Sequence, residues 1–329
     1  PWPHSAKGRW RLNPAAFTLI PENPLPPGGE ALWLYPEGEG KTPRIRAAFF
    51  PRGAGTAARG TLILLNGRSE FIEKYFEVIG EFASRGFDVA TLDWRGQGLS
   101  TRALTDRQRG HVVSFAEYDR DLACLMAAAQ RRFQPPFIML AHSMGGQIGV
   151  RGLKHFGALF SKAVICAPML AVNLPIWMRP VAGGMARGAA MVGKAEEFAP
   201  GGENMHAFAS EFETNPVTMD RRRFDRNRAI IRANMDLMLA GPTMAWFAAA
   251  KQAMAASWKK GFAASLPQKL LFLTAGKDVF VQTLAIHKFA LQARDATLLH
   301  VGNAKHELLM ERDDVRAQVW AAMDEFLKD

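Results

Sequence analysis

One serine stands in a setting where its hydroxyl could act as a nucleophile. The segment AHSMGG (141–146) overlaps the end of an apolar run, FIMLAH (137–142), that predicts a strand, and the following QIGVRGLKHF (147–156) can form a helix. A serine on such a tight turn exposes its hydroxyl above the sheet edge, and its neighbours must be small because the two backbones approach closely. Ala141 replaces the usual glycine, and we expect the turn to tolerate the added methyl group. We predict a nucleophile elbow at Ser143 rather than an ordinary serine in a turn.

A serine hydroxyl is a poor nucleophile near neutral pH, so it needs a base within hydrogen-bond reach and an acid that orients the base. After a nucleophile elbow the acid comes first along the chain and the histidine second. Asp278 follows the apolar run KLLFLTA (269–275), and His306 follows ATLLHV (296–301). Both lie just past the C-terminal end of a predicted strand, the edge at which α/β sheets bind ligands. We predict that they are the partners of Ser143, the alternatives being a turn-forming Asp and a surface His.

Other histidines and acids fit these roles less well. His300 lies within the last predicted strand, and His287 lies within a helical run, QTLAIHKFALQ. His142 is adjacent to the serine, so we expect its side chain to point to the opposite side of the strand. Asp295 lies at a helix end. These residues are the weaker candidates for the base and the acid.

The tetrahedral intermediate of acyl transfer also needs two backbone N–H donors, and losing one donor costs on the order of 10²-fold to 10³-fold in rate. Met144 follows the serine at the predicted helix N-terminus, where the helix dipole also favours negative charge. The second donor should come from the loop Asn66-Gly67-Arg68, in which the glycine permits close approach of the backbone. We predict the N–H groups of Met144 and Arg68 as the oxyanion hole, with an ordinary glycine turn as the alternative for the loop.

The elements that must position these residues follow from the hydropathy pattern. Further apolar runs predict strands at RIRAAFF (44–50), TLILLN (61–66), DVATLDW (88–94) and KAVICA (162–167). Apolar residues at helical spacing lie between the runs. Alternating strands and helices of this length predict an α/β fold with a mostly parallel sheet and helices on both faces.

Two segments depart from this alternation. Residues 1–30 are rich in proline, which blocks helices and most strand pairing, so we expect an irregular arm laid over the core. Residues 169–262 contain most of the methionines and an arginine cluster. We expect this segment to be an inserted, mainly helical cap, the alternative being further helical core. The core would then comprise residues 31–168 and 263–329.

Composition narrows the class of protein. The 329 residues are 48% hydrophobic and 22% charged, which suits a globular protein and excludes a disordered chain. The net charge of +10 favours anionic partners such as phospholipid surfaces, nucleic acid or acidic substrates, but no nucleic-acid recognition motif accompanies it. Cys124 and Cys166 lie among apolar neighbours, so we expect two buried thiols rather than a disulfide framework or a metal site.

Membrane and targeting signals are weak in this sequence. No apolar run approaches the ~18 residues that cross a bilayer, and the N-terminal stretch lacks the apolar region of a signal peptide. We expect a soluble cytoplasmic protein that can lie peripheral to the inner membrane. The sequence begins at Pro1 without a Met, which leaves an upstream segment open.

Several motifs in register resemble one branch of the α/β-hydrolase superfamily, the bacterial lysophospholipases and monoacylglycerol lipases. They are LLNGRSEFIEKY (64–75), LDWRGQGLS (92–100), RGHVVSFAEYDRDL (109–122), AHSMGG (141–146), TAGKDVFV (274–281) and KHELLME (305–311). Monoacylglycerol lipases begin the first motif with His-Gly, whereas Asn66 here resembles the lysophospholipase side. The resemblance implies the α/β-hydrolase fold and the same site residues: Ser143, Asp278 and His306 as the triad, Met144 and Arg68 as oxyanion donors.

The resemblance also implies a function without a cofactor or a metal. We expect hydrolysis of the carboxylic ester of a lipid through an acyl-enzyme, with a lysophospholipid as the first substrate and a monoglyceride or short-chain ester as the second. A peptide or amide is the third, because related hydrolases include aminopeptidases. A non-enzymatic interaction module is the remaining alternative, although such proteins usually lack a triad member. Head group, acyl length and oligomeric state stay open.

Other polar residues in these motifs have supporting or surface roles in this interpretation. Four residues of DWRGQGLS match a loop that supports the site in such hydrolases, and we interpret them and His111 as structural: Asp93, Arg95, Gly96 and Gly98. The arginines of the predicted cap are interleaved with Phe224, Ile230 and Ile231, a pattern that suits an anionic membrane surface or a phosphate-bearing substrate. A solvated helix face is an equal alternative for these arginines: Arg221, Arg222, Arg223, Arg226, Arg228 and Arg232.

Overall fold

The structure, a computed structural model, describes residues 13–36, 43–173 and 193–328. Its strands are β1 (Asn13–Ala15), β2 (Glu30–Leu34), β3 (Ile45–Phe50), β4 (Gly60–Leu65), β5 (Phe87–Leu92), β6 (Phe137–His142), β7 (Phe160–Cys166), β8 (Lys269–Ala275) and β9 (Ala296–Val301). They form one sheet in the order β1-β2-β3-β5-β4-β6-β7-β8-β9. In this order, the strands β5, β4, β6, β7, β8 and β9 pair parallel with one another, whereas β1, β2, β3 and β5 pair antiparallel. The predicted mostly parallel sheet is confirmed.

The helices cover both faces of this sheet. They are α1 (Phe76–Ser84), α2 (Ala116–Arg132), α3 (Met144–His155), α4 (Arg221–Ala233), α5 (Met244–Ser257), α6 (Thr283–Gln292) and α7 (Asp313–Phe326). One apolar core joins α2, α3, α5 and α6 to the sheet, and a second joins α1 and α7 to the opposite face. Strands covered on both faces are apolar throughout, which explains why the continuous apolar runs predict them well. The runs at 137–142, 269–275 and 296–301 begin and end as predicted.

The proline-rich N-terminal segment contains an edge strand that the sequence does not predict. Asn13 pairs with Trp33 and Pro14 pairs with Leu32, so β1 extends the sheet beyond β2. Proline lacks an N–H and is tolerated on an outermost strand, where one side of the backbone needs no partner. The expected irregular arm over residues 1–30 is therefore wrong for Asn13–Ala15 and for Glu30, while residues 1–12 lie outside the described ranges.

Of the predicted cap, residues 169–262, the structure describes residues 169–173 and 193–262. Helix α5 contributes Trp246, Ala250 and Met254 to the first apolar core, so this part packs on the body of the protein. The chain before α5 is hydrogen-bonded to the loop at 108–110, with Ala240 N–H donating to the Gln108 carbonyl at 2.8 Å. Its status as a separate cap stays a prediction. Within the described ranges, no helix has the length and apolar character that a bilayer crossing requires.

Candidate active site

The turn between β6 and α3 has the backbone geometry of a nucleophile elbow. Ser143 has φ 52° and ψ −115°, a strained conformation for a residue with a side chain, and its N–H donates to the Cys166 carbonyl at 3.0 Å. A Cβ on Gly145 would lie 2.3 Å from the Leu65 carbonyl oxygen, so only glycine fits there. Ala141 is accommodated because helix α3 presents Gly149 to its methyl group.

The structure brings together the three residues that the sequence predicts as a triad. His306 Nε2 lies 2.9 Å from Ser143 Oγ, and His306 Nδ1 lies 2.6 Å from Asp278 Oδ2. Asp278 Oδ1 accepts the N–H groups of Phe280 at 2.8 Å and Val281 at 3.0 Å. Burial alone would raise the pKa of Asp278, but the hydrogen bond and charge of His306 outweigh it and lower that pKa. The ionised carboxylate favours the tautomer that leaves His306 Nε2 free to accept the serine proton.

The alternative histidines are engaged elsewhere. The hydroxyl of Thr274 lies 3.0 Å from His300 Nδ1 and 3.2 Å from His287 Nε2, so these two rings form a separate cluster on β8 and its neighbours. His142 Nδ1 lies 3.2 Å from Glu70 Oε2, and its Nε2 lies 3.2 Å from the His306 carbonyl oxygen. Both nitrogens of His142 therefore have partners other than the serine.

The predicted oxyanion donors lie at the start of α3 and in the loop after β4. Met144 is the first residue of α3, where an N–H has no acceptor within the helix. The Gly67 carbonyl accepts a hydrogen bond from Gln97 Nε2 at 2.8 Å. Because a trans peptide is planar, the Arg68 N–H points the opposite way from that carbonyl, and it finds no acceptor within the described ranges. Both N–H groups are thus available to a developing oxyanion.

Gln97 is a supporting residue that the sequence reasoning missed. Its Nε2 also donates to the Glu70 carbonyl at 3.0 Å, and its Oε1 accepts the Ser69 N–H at 3.3 Å. One amide side chain thereby fixes the whole loop at 67–70. The motif DWRGQGLS could have pointed to it, because Gln97 lies between the two glycines of that motif.

The other residues of this motif hold the loops around the site. Asp93 accepts the N–H groups of Ile72 at 2.9 Å and Leu99 at 2.8 Å, and a Cβ on Gly98 would lie 2.1 Å from its carboxyl carbon. Gly96 has φ +79°, a region that favours glycine. Arg95 pairs with Asp121 on α2 at 2.6 Å.

His111 bridges the loop after the motif to the start of α5. Its Nδ1 lies 3.0 Å from the hydroxyl of Thr243. That hydroxyl also accepts the Trp246 N–H, which caps the helix. Burial lowers the pKa of His111, so the ring is neutral near neutral pH. These contacts agree with a structural role.

Charged side chains beneath the site form what we term the ion cluster: Glu70, Lys74, His142 and Glu307. Lys74 Nζ lies 2.8 Å from Glu70 and 2.5 Å from Glu307. Burial opposes the charge on Lys74, yet Glu307 and Glu70 raise its pKa to about 12. Burial would raise the pKa of Glu70, but Lys74 and His142 hold it well below the usual range. Glu70 Oε2 also accepts the Tyr75 hydroxyl at 2.7 Å and the Gly67 N–H.

Helix α4 carries the arginines of the predicted cap, and carboxylates neutralise several of them. Arg223 is only 3% exposed and lies 2.6 Å from Glu77 on α1 and 2.7 Å from Asp313. Arg226 also lies 2.6 Å from Glu77. These two residues attach α4 to the core. Three arginines of the cluster are exposed: Arg221, Arg222 and Arg232.

Comparisons with known proteins agree with this geometry. Residues 56–313 match the Hydrolase_4 family, described as serine aminopeptidase, S33. A probable lysophospholipase L2 of Haemophilus influenzae is 31% identical over 276 residues, which cover 83% of this chain and 85% of that protein. Lysophospholipase L2 of Escherichia coli K12 is 29% identical over 285 residues, covering 80% and 79%.

A solved structure extends the likeness to the fold. A soluble variant of monoglyceride lipase from Saccharomyces cerevisiae superposes with a TM-score of 0.69 at 18% identity, covering 100% of this chain and 98% of that one. At that identity the likeness concerns the fold alone. The family match spans most of the chain and includes the elbow, the acid and the histidine, so this protein belongs to the Hydrolase_4 family of α/β-hydrolases.

Proposed function

We propose that this chain is a serine hydrolase that cleaves the carboxylic ester of a lysophospholipid through an acyl-enzyme. The observation that carries the proposal is the continuous hydrogen-bonded series from Ser143 through His306 to Asp278. The substrate class rests on the relatives named lysophospholipase L2, which align with about four fifths of the chain. The residues of the site require no metal or cofactor for this chemistry.

In the proposed mechanism, Ser143 Oγ attacks the ester carbonyl while His306 Nε2 takes the serine proton. The N–H groups of Met144 and Arg68 stabilise the oxyanion, and Asp278 stabilises the imidazolium. His306 then gives the proton to the departing glycerol oxygen, which leaves the acyl group on Ser143. Water, deprotonated by His306, attacks this acyl-enzyme, and His306 returns the proton to Ser143 Oγ as the fatty acid leaves.

We also propose peripheral contact with an anionic membrane surface through α4. The contact would use the exposed arginines, Arg221, Arg222 and Arg232, since Arg223 is buried in ion pairs with the core. Exposed basic side chains near an anionic surface are attracted over about a Debye length, so the contact should weaken with added salt.

Two measurements test the proposed hydrolase activity. A fluorophosphonate probe should label the protein but not a Ser143→Ala variant, because labelling requires an activated serine. Product analysis on lysophospholipids, monoglycerides, chromogenic esters and aminoacyl amides should give the highest kcat/KM for a lysophospholipid, with release of free fatty acid. Absence of labelling at Ser143 would contradict the mechanism, and preference for an aminoacyl amide would contradict the substrate class.

A further inference from the structure

We term the loop Asn66-Gly67-Arg68 the oxyanion loop. Beside it, three guanidinium groups contact the backbone of residues 236–240. Arg68 Nη2 donates to the Ala240 carbonyl. Arg102 Nη2 donates to the Asp236 carbonyl at 3.0 Å, and Arg107 Nη2 donates to the same oxygen at 3.4 Å. The Arg68 side chain also lies over Trp246, with its guanidinium carbon 5.4 Å from the ring centroid.

Two of these arginines have no acidic partner in the part of the chain that the structure describes. Arg107 pairs with the Asp236 carboxylate at 3.1 Å, but the hydrogen-bond acceptors of Arg68 and Arg102 are carbonyl oxygens and the Ser69 hydroxyl. The Nε atoms of Arg68 and Arg102 are buried without an acceptor, as is that of Arg228 on α4. A buried donor normally finds a partner, so an orphaned pair of guanidinium Nε atoms needs an explanation.

Burial without a direct counter-ion disfavours the protonated, charged form of an arginine and so lowers its pKa. Burial lowers the pKa of Arg68 to about 10. Burial also lowers the pKa of Arg102 to about 10, with further lowering from Arg107 and Arg68 against the opposing charges of Asp93 and Asp236. Elsewhere the fold neutralises its enclosed arginines, for example Arg46 with Glu73 and Asp93, each at 2.7 Å. Neither Arg68 nor Arg102 has a direct carboxylate partner of this kind within the described ranges, so their positive charge is less neutralised and can attract an anion.

We infer that Arg68 and Arg102 form an anion-binding subsite that receives the phosphate of the substrate's head group. The inference rests on the proposed function and deepens it. Arg68 supplies a backbone N–H to the proposed oxyanion hole, so its side chain begins where the scissile ester is held. In a lysophospholipid a three-carbon glycerol separates that ester from the phosphate, and an arginine side chain spans a comparable distance. Guanidinium groups bind phosphate oxygens through paired, charge-assisted hydrogen bonds.

Matched soluble substrates test this subsite without a membrane surface. We compare 1-octanoylglycerol 3-phosphate with 1-octanoylglycerol, which differ only in the phosphate. In the Arg102→Gln protein, the ratio of kcat/KM for the phosphorylated over the neutral ester should fall about tenfold or more, because Gln cannot make the charge-assisted hydrogen bonds of a guanidinium group. The loss should appear as a raised KM for the phosphorylated ester. Arg102→Lys, which keeps the charge, should lose less.

The matched control is Arg109→Gln. Arg109 lies on the same loop as Arg102 but pairs with Asp106 at 2.9 Å. This variant should keep the substrate ratio within about twofold, because a solvent-accessible ion pair contributes little. An unchanged ratio in Arg102→Gln would overturn the subsite. Equal loss on both substrates would also overturn it, and would assign the arginines to holding residues 236–240 against the core.

A binding measurement separates this inference from the proposed function. Glycerol 3-phosphate, titrated into Ser143→Ala protein in a calorimeter, should bind, and Arg102→Gln in that background should weaken the binding about tenfold or more. Inorganic phosphate should bind more weakly, and equal binding of the two anions would contradict the head-group assignment. If wild-type protein hydrolyses neither ester while glycerol 3-phosphate still binds through Arg102, the proposed function fails and the subsite stands.

Discussion

The loop at 66–70 contributes to two groups of enclosed charged side chains. The groups differ in whether ion pairs within the protein neutralise them. On one side Glu70 belongs to the ion cluster, in which acids and bases alternate and burial is offset by close partners. On the other side Arg68 and Arg102 donate to carbonyl oxygens, and neither forms a direct ion pair with a carboxylate within the described ranges. A neutralised cluster fixes backbone geometry, whereas an unneutralised one is open to a ligand. One short loop therefore joins the part of the site that must stay rigid to the part that we assign to the substrate.

The ion cluster connects three loops that meet at the elbow. Glu70 holds the Gly67 N–H of the oxyanion loop, and His142 follows β6 and bonds to the His306 carbonyl. Lys74 reaches Glu307, the residue after the proposed base. Movement of any one of these loops would separate charges in a buried setting. The cluster thus positions the oxyanion loop and the histidine loop relative to Ser143.

The largest expected effect comes from the proposed triad, whose role the two groups of charge do not replace. Ser143→Ala should lower ester hydrolysis to a residual ~10³-fold to 10⁴-fold above the uncatalysed rate, because only binding and the oxyanion donors remain. His306→Ala should do the same, and the double variant should be no worse than either single variant, since triad residues act as a unit. Initial rates of fatty-acid release, with circular dichroism as the folding control, measure this. Substantial activity in Ser143→Ala contradicts the mechanism, and activity in His306→Ala with loss in His300→Ala contradicts the choice of base.

The next effect breaks the balanced side of the comparison. Glu70→Gln removes the negative charge that offsets the positive charges of Lys74 and His142. Removing one partner of a buried ion pair costs about 3–5 kcal/mol. Urea unfolding should therefore show a large loss in the free energy of unfolding. We also expect a lower kcat, because Gln has one acceptor oxygen where Glu70 uses two, so Lys74 and the Gly67 N–H cannot both keep their acceptors. The matched control is Glu213→Gln, which removes an exposed partner of Arg221 and should leave stability unchanged. Wild-type stability in Glu70→Gln would refute the positioning role of the cluster.

The two groups of charge also differ in how far the sequence could predict them. The elbow, the acid and the histidine are each local motifs placed at strand ends, so apolar runs and chain order locate them. The ion cluster joins Glu70 to His142 across 72 residues and Lys74 to Glu307 across 233, and no local pattern records such pairs. The sequence indicates His142 only as a competing base. It does not predict the short strand β1, because three residues with a proline carry no alternation signal.

A smaller effect concerns the pH dependence of the ion cluster. Burial opposes charge on His142, but Glu70 and Glu307 raise its pKa above the ordinary 6.5, against the opposing charge of Lys74. A raised pKa in the fold adds stability that is complete below the unfolded pKa and is lost as pH rises through the folded pKa. The difference in the free energy of unfolding between wild type and His142→Gln should therefore be largest below about pH 6 and smaller at pH 8.5.

Proton NMR of the His142 ring checks the same shift directly. Its midpoint should lie above 6.5 in the wild-type protein. In Glu70→Gln the midpoint should fall, because burial then acts without its main opposing charge. A midpoint at or below 6.5 in the wild type would contradict the assignment of a charged His142.

The smallest expected effect tests charge that belongs to neither group, the exposed face of α4. Arg221 is already shared between Glu213 at 2.8 Å and Asp225 at 3.6 Å, so its attraction to a membrane is weaker than the ~1 kcal/mol of a free surface charge. Changing the exposed arginines of α4 to Gln should reduce sedimentation with anionic vesicles only a few-fold at low salt, and added salt should abolish the difference, because screening shortens the attraction. The variant carries Arg221→Gln, Arg222→Gln and Arg232→Gln, and its charge-matched control carries Lys259→Gln, Lys260→Gln and Lys288→Gln on other exposed positions. Equal vesicle binding by the two variants would assign the α4 arginines to solvent and to their intramolecular pairs, and would leave the Arg68 and Arg102 subsite as the place where this protein meets a phosphate.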